Sequence, residues 1–127
     1  MSALEHFEQI GSRGIYRPVG VMTLEQAIEQ IAVGLEHARK LGLSEVMVNA
    51  FGLSGFPVPS TFGRYAFAVR WVEAAGGVLR VAIVVRAEFI DREKIGMVIA
   101  KNRGLDSDVF ANEADAIKWL DSRVVRR

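Results

Sequence analysis

Two short and almost uninterrupted apolar stretches limit the folds that are open to this chain. They cover residues 46–51 and 78–85, and neither alternates apolar with polar side chains. A strand with one wet face alternates, whereas a strand buried on both faces reads as a continuous apolar run, as in parallel sheets covered by helices. A helical pattern lies between the two stretches, which suits a crossover between parallel strands. The sequence therefore predicts an α/β fold in which these two strands run side by side in one direction.

The clearest helix is predicted between residues 24 and 41. Thr23 and Gln26 have the spacing of a capping box, in which each side chain accepts a hydrogen bond from the other residue's backbone. Gly42 supplies the left-handed residue that commonly ends a helix. Its inward face is predicted to consist of apolar residues at helical spacing: Leu24, Ala27, Ile28, Ile31, Leu35 and Ala38.

An antiparallel hairpin is predicted at the N-terminus. Its strands would be His6 to Ile10 and Ile15 to Met22, joined by a turn around 11–14. Pro18 has no backbone N–H, so the second strand is expected to lie at a sheet edge or to contain a bulge. An exposed edge must be protected from unwanted pairing, and a homodimer is one way to cover it.

Three more helices and a short strand, 108–111, complete the predicted order. The second helix would run from Ser60 or Thr61 to about Ala75, the third would begin at a cap formed by Asp91, and Asn112 would cap the fourth. The residues predicted to face inward on these helices are Phe62, Tyr65, Ala66, Val69 and Val72, then Ile95, Val98 and Ile99, then Ala116, Trp119 and Leu120. The whole is one domain, 1–127, of order β-β-α-β-α-β-α-β-α, with a mostly parallel mixed sheet, an antiparallel N-terminal strand and flanking helices.

Composition excludes several classes of function. The chain of 127 residues contains no cysteine, which excludes disulfides and thiolate metal sites and fits a reducing, cytoplasmic location. A formal net charge of +1 gives no global attraction to nucleic acid. No apolar run approaches the ~20 residues of a membrane-spanning helix, so integral membrane association is not expected. The three arginines of the C-terminal tail, 123, 126 and 127, are interpreted as solvated.

The segment 52–64 is the most informative candidate site. It joins the carboxyl end of a strand to a helix N-terminus, where open α/β sheets place ligands. Hydroxyls at Ser54, Ser60 and Thr61, with Arg64 and the preceding Asn49, could hold a phosphate or carboxylate there. The alternative, which we favour at this stage, is that Ser60 or Thr61 serves only as the N-cap.

The same segment is also apolar. Phe51, Phe56 and Val58 either line a small hydrophobic pocket or a partner-binding patch, or fold back onto the core. The two histidines, His6 and His37, lie in different elements, and no nucleophile–base pair can be assembled from the sequence. We therefore expect neither an enzyme, nor a metal site, nor a cofactor.

Several short segments together resemble the STAS superfamily, and its SpoIIAA-like branch in particular. In chain order they are Gly20 with Thr23-Leu24-Glu25, then Ala38-Arg39-Lys40-Leu41-Gly42, Val46-Met47-Val48-Asn49, Ala100-Lys101-Asn102-Arg103-Gly104, and Val109-Phe110 with Glu113-Ala114, Ala116 and Trp119-Leu120. The similarity covers nearly the whole chain from the hairpin onward. It implies the same β-α alternation that the apolar pattern predicts.

The resemblance also implies a function. The best-known members are anti-sigma-factor antagonists, which bind a kinase-like protein partner and are switched by phosphorylation of a serine in an Asp-Ser-Ser-Gly signature. This chain has residues 49–55, Asn-Ala-Phe-Gly-Leu-Ser-Gly, at that place. It is more similar to a looser SpoIIAA-like group that lacks the signature and is related in shape to lipid-binding CRAL-TRIO domains.

Two functions are therefore expected. The first is a non-enzymatic regulatory or protein-interaction module that acts through residues 52–64, with Ser54, Ser60 and Thr61 as candidate phosphorylation sites. The second is a carrier of a small apolar or anionic ligand, with an apolar pocket between residues 52–64 and the third helix.

Overall fold

A five-stranded mixed sheet forms the centre of the protein in the computed structural model, which describes residues 4–122. The elements in chain order are β1 (Phe7–Ile10), β2 (Arg13–Tyr16), β3 (Gly20–Val21), α1 (Leu24–Lys40), β4 (Glu45–Asn49), β5 (Leu53–Ser54), α2 (Thr61–Ala75), β6 (Arg80–Val84), a 3-10 turn (Ala87–Phe89), α3 (Ile95–Asn102), β7 (Asp106–Phe110) and α4 (Glu113–Asp121). The arginine-rich tail lies outside the described residues. Within residues 4–122, no helix combines the length and the apolar character needed to cross a membrane.

The strand order of the large sheet is β1-β2-β4-β6-β7, and only the β1–β2 pair is antiparallel. The two apolar strands lie side by side in the same direction, with Val46 opposite Val81 and Val48 opposite Ile83. The prediction of an α/β fold with a mostly parallel sheet and an antiparallel N-terminal strand is therefore confirmed.

Both faces of the central strands are buried, which explains why their sequences do not alternate. Val46, Val48 and Ile83 pack into the larger core, beneath α1, α2 and α3. Met47 and Val84 point the other way, into a smaller core covered by α4. Successive side chains of a strand point to opposite faces, so a strand between two cores must be apolar at every position.

Helix α1 begins and ends as the sequence predicts. The Oγ1 atom of Thr23 accepts from the Gln26 amide at 3.1 Å, and the Gln26 side chain accepts from the Thr23 amide at 3.0 Å. After the helix, Gly42 adopts φ +76°. The capping box satisfies two backbone donors that a helix N-terminus otherwise leaves unpaired.

An ion-pair network joins α1 to α2. The Arg70 guanidinium binds both carboxylate oxygens of Glu29 at 2.9 Å and also contacts Glu36 and Glu73, each at 3.1 Å. These hydrogen bonds raise the pKa of Arg70 and lower the pKa of Glu29. The network links α1 to α2 on the side that faces away from the sheet. The opposite sides of both helices pack on the sheet.

The N-terminal strands differ from the prediction in one respect. The expected strand from Ile15 to Met22 is wrong in extent, because β2 stops at Tyr16 and residues 20–21 form the separate strand β3. β3 pairs in parallel with β5, an element that the sequence did not predict. Pro18 lies between β2 and β3, and β2 is an interior strand flanked by β1 and β4. The expected edge strand at Pro18 is therefore wrong, and the argument for a homodimer loses its premise.

The predicted inward face of α2 is wrong in its first part, although Val72, also predicted to face inward, packs partly buried against the larger core. Phe62 and Tyr65 are exposed, by 81% and 44%, and Ala66 is exposed as well. The buried face instead consists of Arg64, Ala68, Trp71, Ala74 and Ala75. Apolar residues occur on all sides of this helix, so its pattern is compatible with two inward faces. The buried one includes an arginine, a residue type that is usually exposed.

Helix α3 begins later than predicted. Its first residue is Ile95, so Asp91 is not the N-cap, although its Oδ2 atom accepts from the Ile95 amide at 3.1 Å. Val98, predicted to face inward, is 51% exposed, and Met97 and Ala100 are buried in its place. Ile99, also predicted to face inward, does pack against the larger core, so the predicted face is partly right.

Candidate functional site

A cavity of about 80 Å³ lies between α1, α2, the segment 50–59 and the segment that connects β6 to α3. It is partly open to solvent, and most of its wall is apolar. Ala50 and Val85, which follow β4 and β6, both line it. The cavity therefore lies at the carboxyl ends of two neighbouring parallel strands, which is the usual ligand position in open α/β sheets.

Aromatic side chains form two opposite parts of the wall. On α2, Phe67 and Trp71 stack with ring centroids 4.6 Å apart, and the Trp71 Nε1 atom donates to the Ile28 carbonyl at 3.1 Å. On the other side, Phe56 and Phe89 meet edge to face at 5.9 Å. Hydrogen bonding and stacking fix the ring of Trp71, so this wall is a rigid surface.

Gly96 allows α3 to approach this aromatic wall closely. A Cβ atom on Gly96 would lie 2.5 Å from both Cε1 and Cζ of Phe67, closer than real carbon contacts allow. Both residues line the cavity. Because Gly96 has no side chain, the Phe67 ring can occupy its position in the cavity wall.

Arg64 is the buried charge of the cavity wall. Only 8% of the residue is exposed. Its Nη1 atom donates to the Phe89 carbonyl at 3.0 Å and lies 3.3 Å from Oδ1 of Asp91. These contacts compensate the desolvation of the guanidinium and tie α2 to the segment before α3. Arg64 thus places a permanent positive charge beside an apolar space.

The start of α3 contributes the other two charged residues of the wall, Asp91 and Lys94. Lys94 adopts the left-handed conformation with φ +50°, which is strained for a residue with a side chain. Its Nζ atom binds Oδ1 of Asp108 at 2.9 Å, and its carbonyl accepts from Met97 and Val98. The side chain of Lys94 is therefore already engaged with β7.

The three candidate hydroxyls lie outside this cavity. Ser60 is the N-cap of α2, and its Oγ atom accepts from the Gly63 amide at 3.1 Å, as the structural alternative expected. Ser54 and Thr61 are exposed, as is Ser60. Of the polar residues proposed from the segment 52–64, the structure brings only Arg64 into the cavity wall.

Asn49 belongs to a different cluster. Its Nδ2 atom donates to Oε2 of Glu113 at 2.7 Å, and its Oδ1 atom accepts from the Phe51 amide at 2.9 Å. Arg17 binds the same carboxylate through two bonds of 2.7 and 2.9 Å. The Arg17 hydrogen bonds, with that of Asn49, lower the pKa of Glu113 to about 2. This cluster joins the end of β4 to the start of α4.

Phe51, Phe56 and Val58 were expected either to line a pocket or partner-binding patch or to fold back onto the core, and the three do not behave alike. Phe56 packs against the core and lines the cavity. Phe51 and Val58 are exposed, and the Arg86 guanidinium lies 5.5 Å from the Phe51 ring centroid. His6 and His37 are not in the cavity wall, and residues 4–122 contain no cluster of three potential metal ligands.

Comparisons of the chain with protein-family models, curated proteins and solved structures found no match. The resemblance to the STAS superfamily is therefore carried by the sequence segments alone and stays a prediction.

The sequence did not identify much of the cavity wall. Phe67, Phe89, Ile90 and Met97 all line the space, and none was a candidate. A signal was present on α2, where Arg64, Ala68 and Trp71 share one face at helical spacing. The segment 86–94 carries no periodic pattern, so its folding over the cavity has no local signal.

Proposed function

We propose that this protein binds a small, largely apolar molecule in the cavity between α1, α2 and α3, as a carrier or sensor domain. The observation that carries the proposal is an apolar cavity of about 80 Å³ with one buried guanidinium in its wall. Ligand sites combine a concave apolar surface with a few placed polar groups. Membership of the SpoIIAA-like branch, with its likeness to lipid-binding domains, is part of the same proposal.

The position of the cavity supports binding rather than a packing defect. A void in a core is costly, because each missing contact removes dispersion energy. This space lies at the carboxyl edge of the sheet, and Lys94 in its wall adopts a strained backbone conformation. Strain of this kind concentrates at ligand sites.

Filling the cavity is expected to abolish binding. Ala27 lies in the cavity wall and is buried, so Ala27→Leu places three extra carbons in the space. Native mass spectrometry of freshly purified protein should show a small-molecule adduct on the wild type that is absent from Ala27→Leu. Overpacking costs about 1–3 kcal/mol, so circular dichroism must show that the variant is folded.

The matched control is Ala66→Leu, which makes the same change on the exposed face of α2. It should keep the adduct. An adduct of equal amount on Ala27→Leu would show that the molecule binds elsewhere. If the wild type neither carries an adduct nor shifts the NMR signals of cavity residues when short-chain acids or alcohols are added, the proposal is wrong.

As a second candidate we propose a regulatory protein-interaction module, acting through the segment 52–64 and the start of α2. The observation that favours it is the exposure of three apolar side chains in this region, Val58, Phe62 and Tyr65, by 45%, 81% and 44%. The three candidate hydroxyls of the same region are exposed as well. A phosphate on Ser60 would be stabilised by the N-terminus of α2, because the helix dipole favours negative charge there.

This second function predicts a loss of partner binding in surface variants. A protein that binds the wild type should be lost by Phe62→Ala, and its binding should change in the triple variant Ser54→Ala, Ser60→Ala, Thr61→Ala. Val98→Ala is the control, because Val98 is an exposed apolar residue of α3 outside the segment. Pull-down followed by a binding titration measures the effect. Equal affinity for all variants would exclude this surface.

A further inference from the structure

We infer that the ligand of the cavity is a small monocarboxylic acid whose carboxylate binds the free edge of the Arg64 guanidinium. This inference rests on the proposed ligand-binding function and specifies its chemical class. It depends on three features of the wall: the unused donors of Arg64, the commitment of the neighbouring charges, and the size of the apolar space.

The donors of Arg64 are divided between two edges. Nη1 is engaged with the Phe89 carbonyl and with Asp91. Nε and Nη2 have no hydrogen-bond partner within residues 4–122, although the side chain is 90% buried. Within residues 4–122, every side-chain nitrogen or oxygen that is fully shielded from solvent has a hydrogen-bond partner. Nε and Nη2 of Arg64 have none, so both atoms must reach accessible space. Arg64 lines the cavity, and we place this unused edge on the cavity side, where a ligand can reach it.

The geometry of that edge selects a carboxylate. The Nε–H and one Nη2–H bond of an arginine point in parallel, at the spacing of the two oxygens of a carboxylate. A lysine ammonium has no such planar pair, and an alcohol offers one oxygen instead of two. An amine would place a second positive charge against the guanidinium and is therefore disfavoured.

The other charged residues of the wall do not compete for this role. Oδ1 of Asp91 faces Arg64, and its Oδ2 accepts from the Ile95 amide. Lys94 is held by Asp108. The charged side chains of the wall therefore leave the free edge of Arg64 to the ligand, while the remaining wall is suited to a hydrocarbon body.

The volume limits the size of that body. The cavity measures about 80 Å³ and is partly open. An enclosed apolar cavity of ~150 Å³ holds one benzene ring, so we expect a body on the order of four to eight carbon atoms, partly outside the enclosed space. The stacked rings of Phe67 and Trp71 suit a branched chain or a flat ring equally well.

The test compares acids with alcohols of the same carbon skeleton. Butanoate, hexanoate, octanoate and benzoate are titrated against the matching alcohols and amines, into protein carrying Trp119→Phe. Trp71 is then the sole tryptophan, and its fluorescence reports on the cavity wall that it lines. We expect the best acid to bind roughly ten-fold or more tightly than its alcohol, because hydrogen bonds between charged groups are stronger than neutral ones. The amine should bind most weakly.

Two variants assign the preference to Arg64. Arg64→Lys keeps the charge and loses the fork, so the ratio of acid to alcohol affinity should fall clearly below the wild-type ratio while staying above one. Arg70→Lys makes the same change on the outer side of the same helix, where Arg70 binds Glu29, and the ratio should stay at the wild-type value. The wild-type ratio is decisive on its own if Arg64→Lys does not fold.

The outcomes distinguish a failure of this inference from a failure of the ligand-binding proposal on which it rests. Equal binding of acid and alcohol to the wild type overturns the inference and leaves an apolar-ligand protein. Tighter binding of an alkyl phosphate or sulfonate than of the acid also overturns the choice of carboxylate. Binding of none of these compounds overturns the ligand-binding function itself.

Discussion

Replacing Gly34 by alanine is expected to destabilise the protein by about 2–3 kcal/mol, although glycine to alanine usually stabilises a helix. A Cβ atom on Gly34 would lie 2.5 Å from Cε2 of the Tyr16 ring. That ring is 1% exposed, and its hydroxyl accepts from Nε2 of Gln30 at 2.6 Å. Tyr16 is part of the packed core, so we expect that either α1 shifts from the sheet or the ring moves and its hydrogen bond breaks.

Thermal and urea unfolding measure this effect against a matched glycine. Gly63, in the first turn of α2, has only ordinary contacts of 3.4 Å around the Cβ position. Gly63→Ala should therefore be neutral or stabilise the protein by up to about 1 kcal/mol. The two changes are chemically identical and are predicted to have opposite signs. Wild-type stability of Gly34→Ala would mean that α1 and Tyr16 pack less closely than described.

The fold was predictable where the sequence pattern is local and periodic. The capping box at Thr23, the regular apolar face of α1 and the two continuous apolar strands each specify one structure. The strands β3 and β5 were not predictable, because two residues carry no period and their pairing joins Val21 to Ser54 across 33 positions. The prediction for Pro18 is wrong because a residue without a backbone N–H fits a connection between strands as well as a sheet edge.

The candidate site was predictable only in part. Its place at the carboxyl edge of the sheet follows from the order of strands and helices. The burial of Arg64 does not, because it depends on the Phe89 carbonyl and on Asp91, which lie 25 and 27 positions further along the chain. A sequence pattern treats an arginine as exposed, and only tertiary contacts show when its charge is compensated.

The largest effect on stability is expected from Trp71→Ala, at about 3–5 kcal/mol. Trp71 is buried, stacks on Phe67 and donates to the Ile28 carbonyl, and it also lines the cavity. Its removal should therefore enlarge an existing space instead of opening an isolated one. Trp119→Ala is the control, because Trp119 is only partly buried and packs against the smaller core below α4.

Added indole should restore part of the stability of Trp71→Ala and none of that of Trp119→Ala. A ligand that binds only the folded state at 100 times its Kd stabilises that state by ~2.7 kcal/mol, which urea unfolding resolves easily. Rescue requires that α1, α2 and α3 keep their positions around an empty space, as a binding pocket must. If indole leaves the unfolding midpoint of Trp71→Ala unchanged, the walls collapse when a side chain is removed. The cavity would then depend on the side chains that surround it and would not stay open as a binding pocket. The ligand-binding proposal would lose its structural basis.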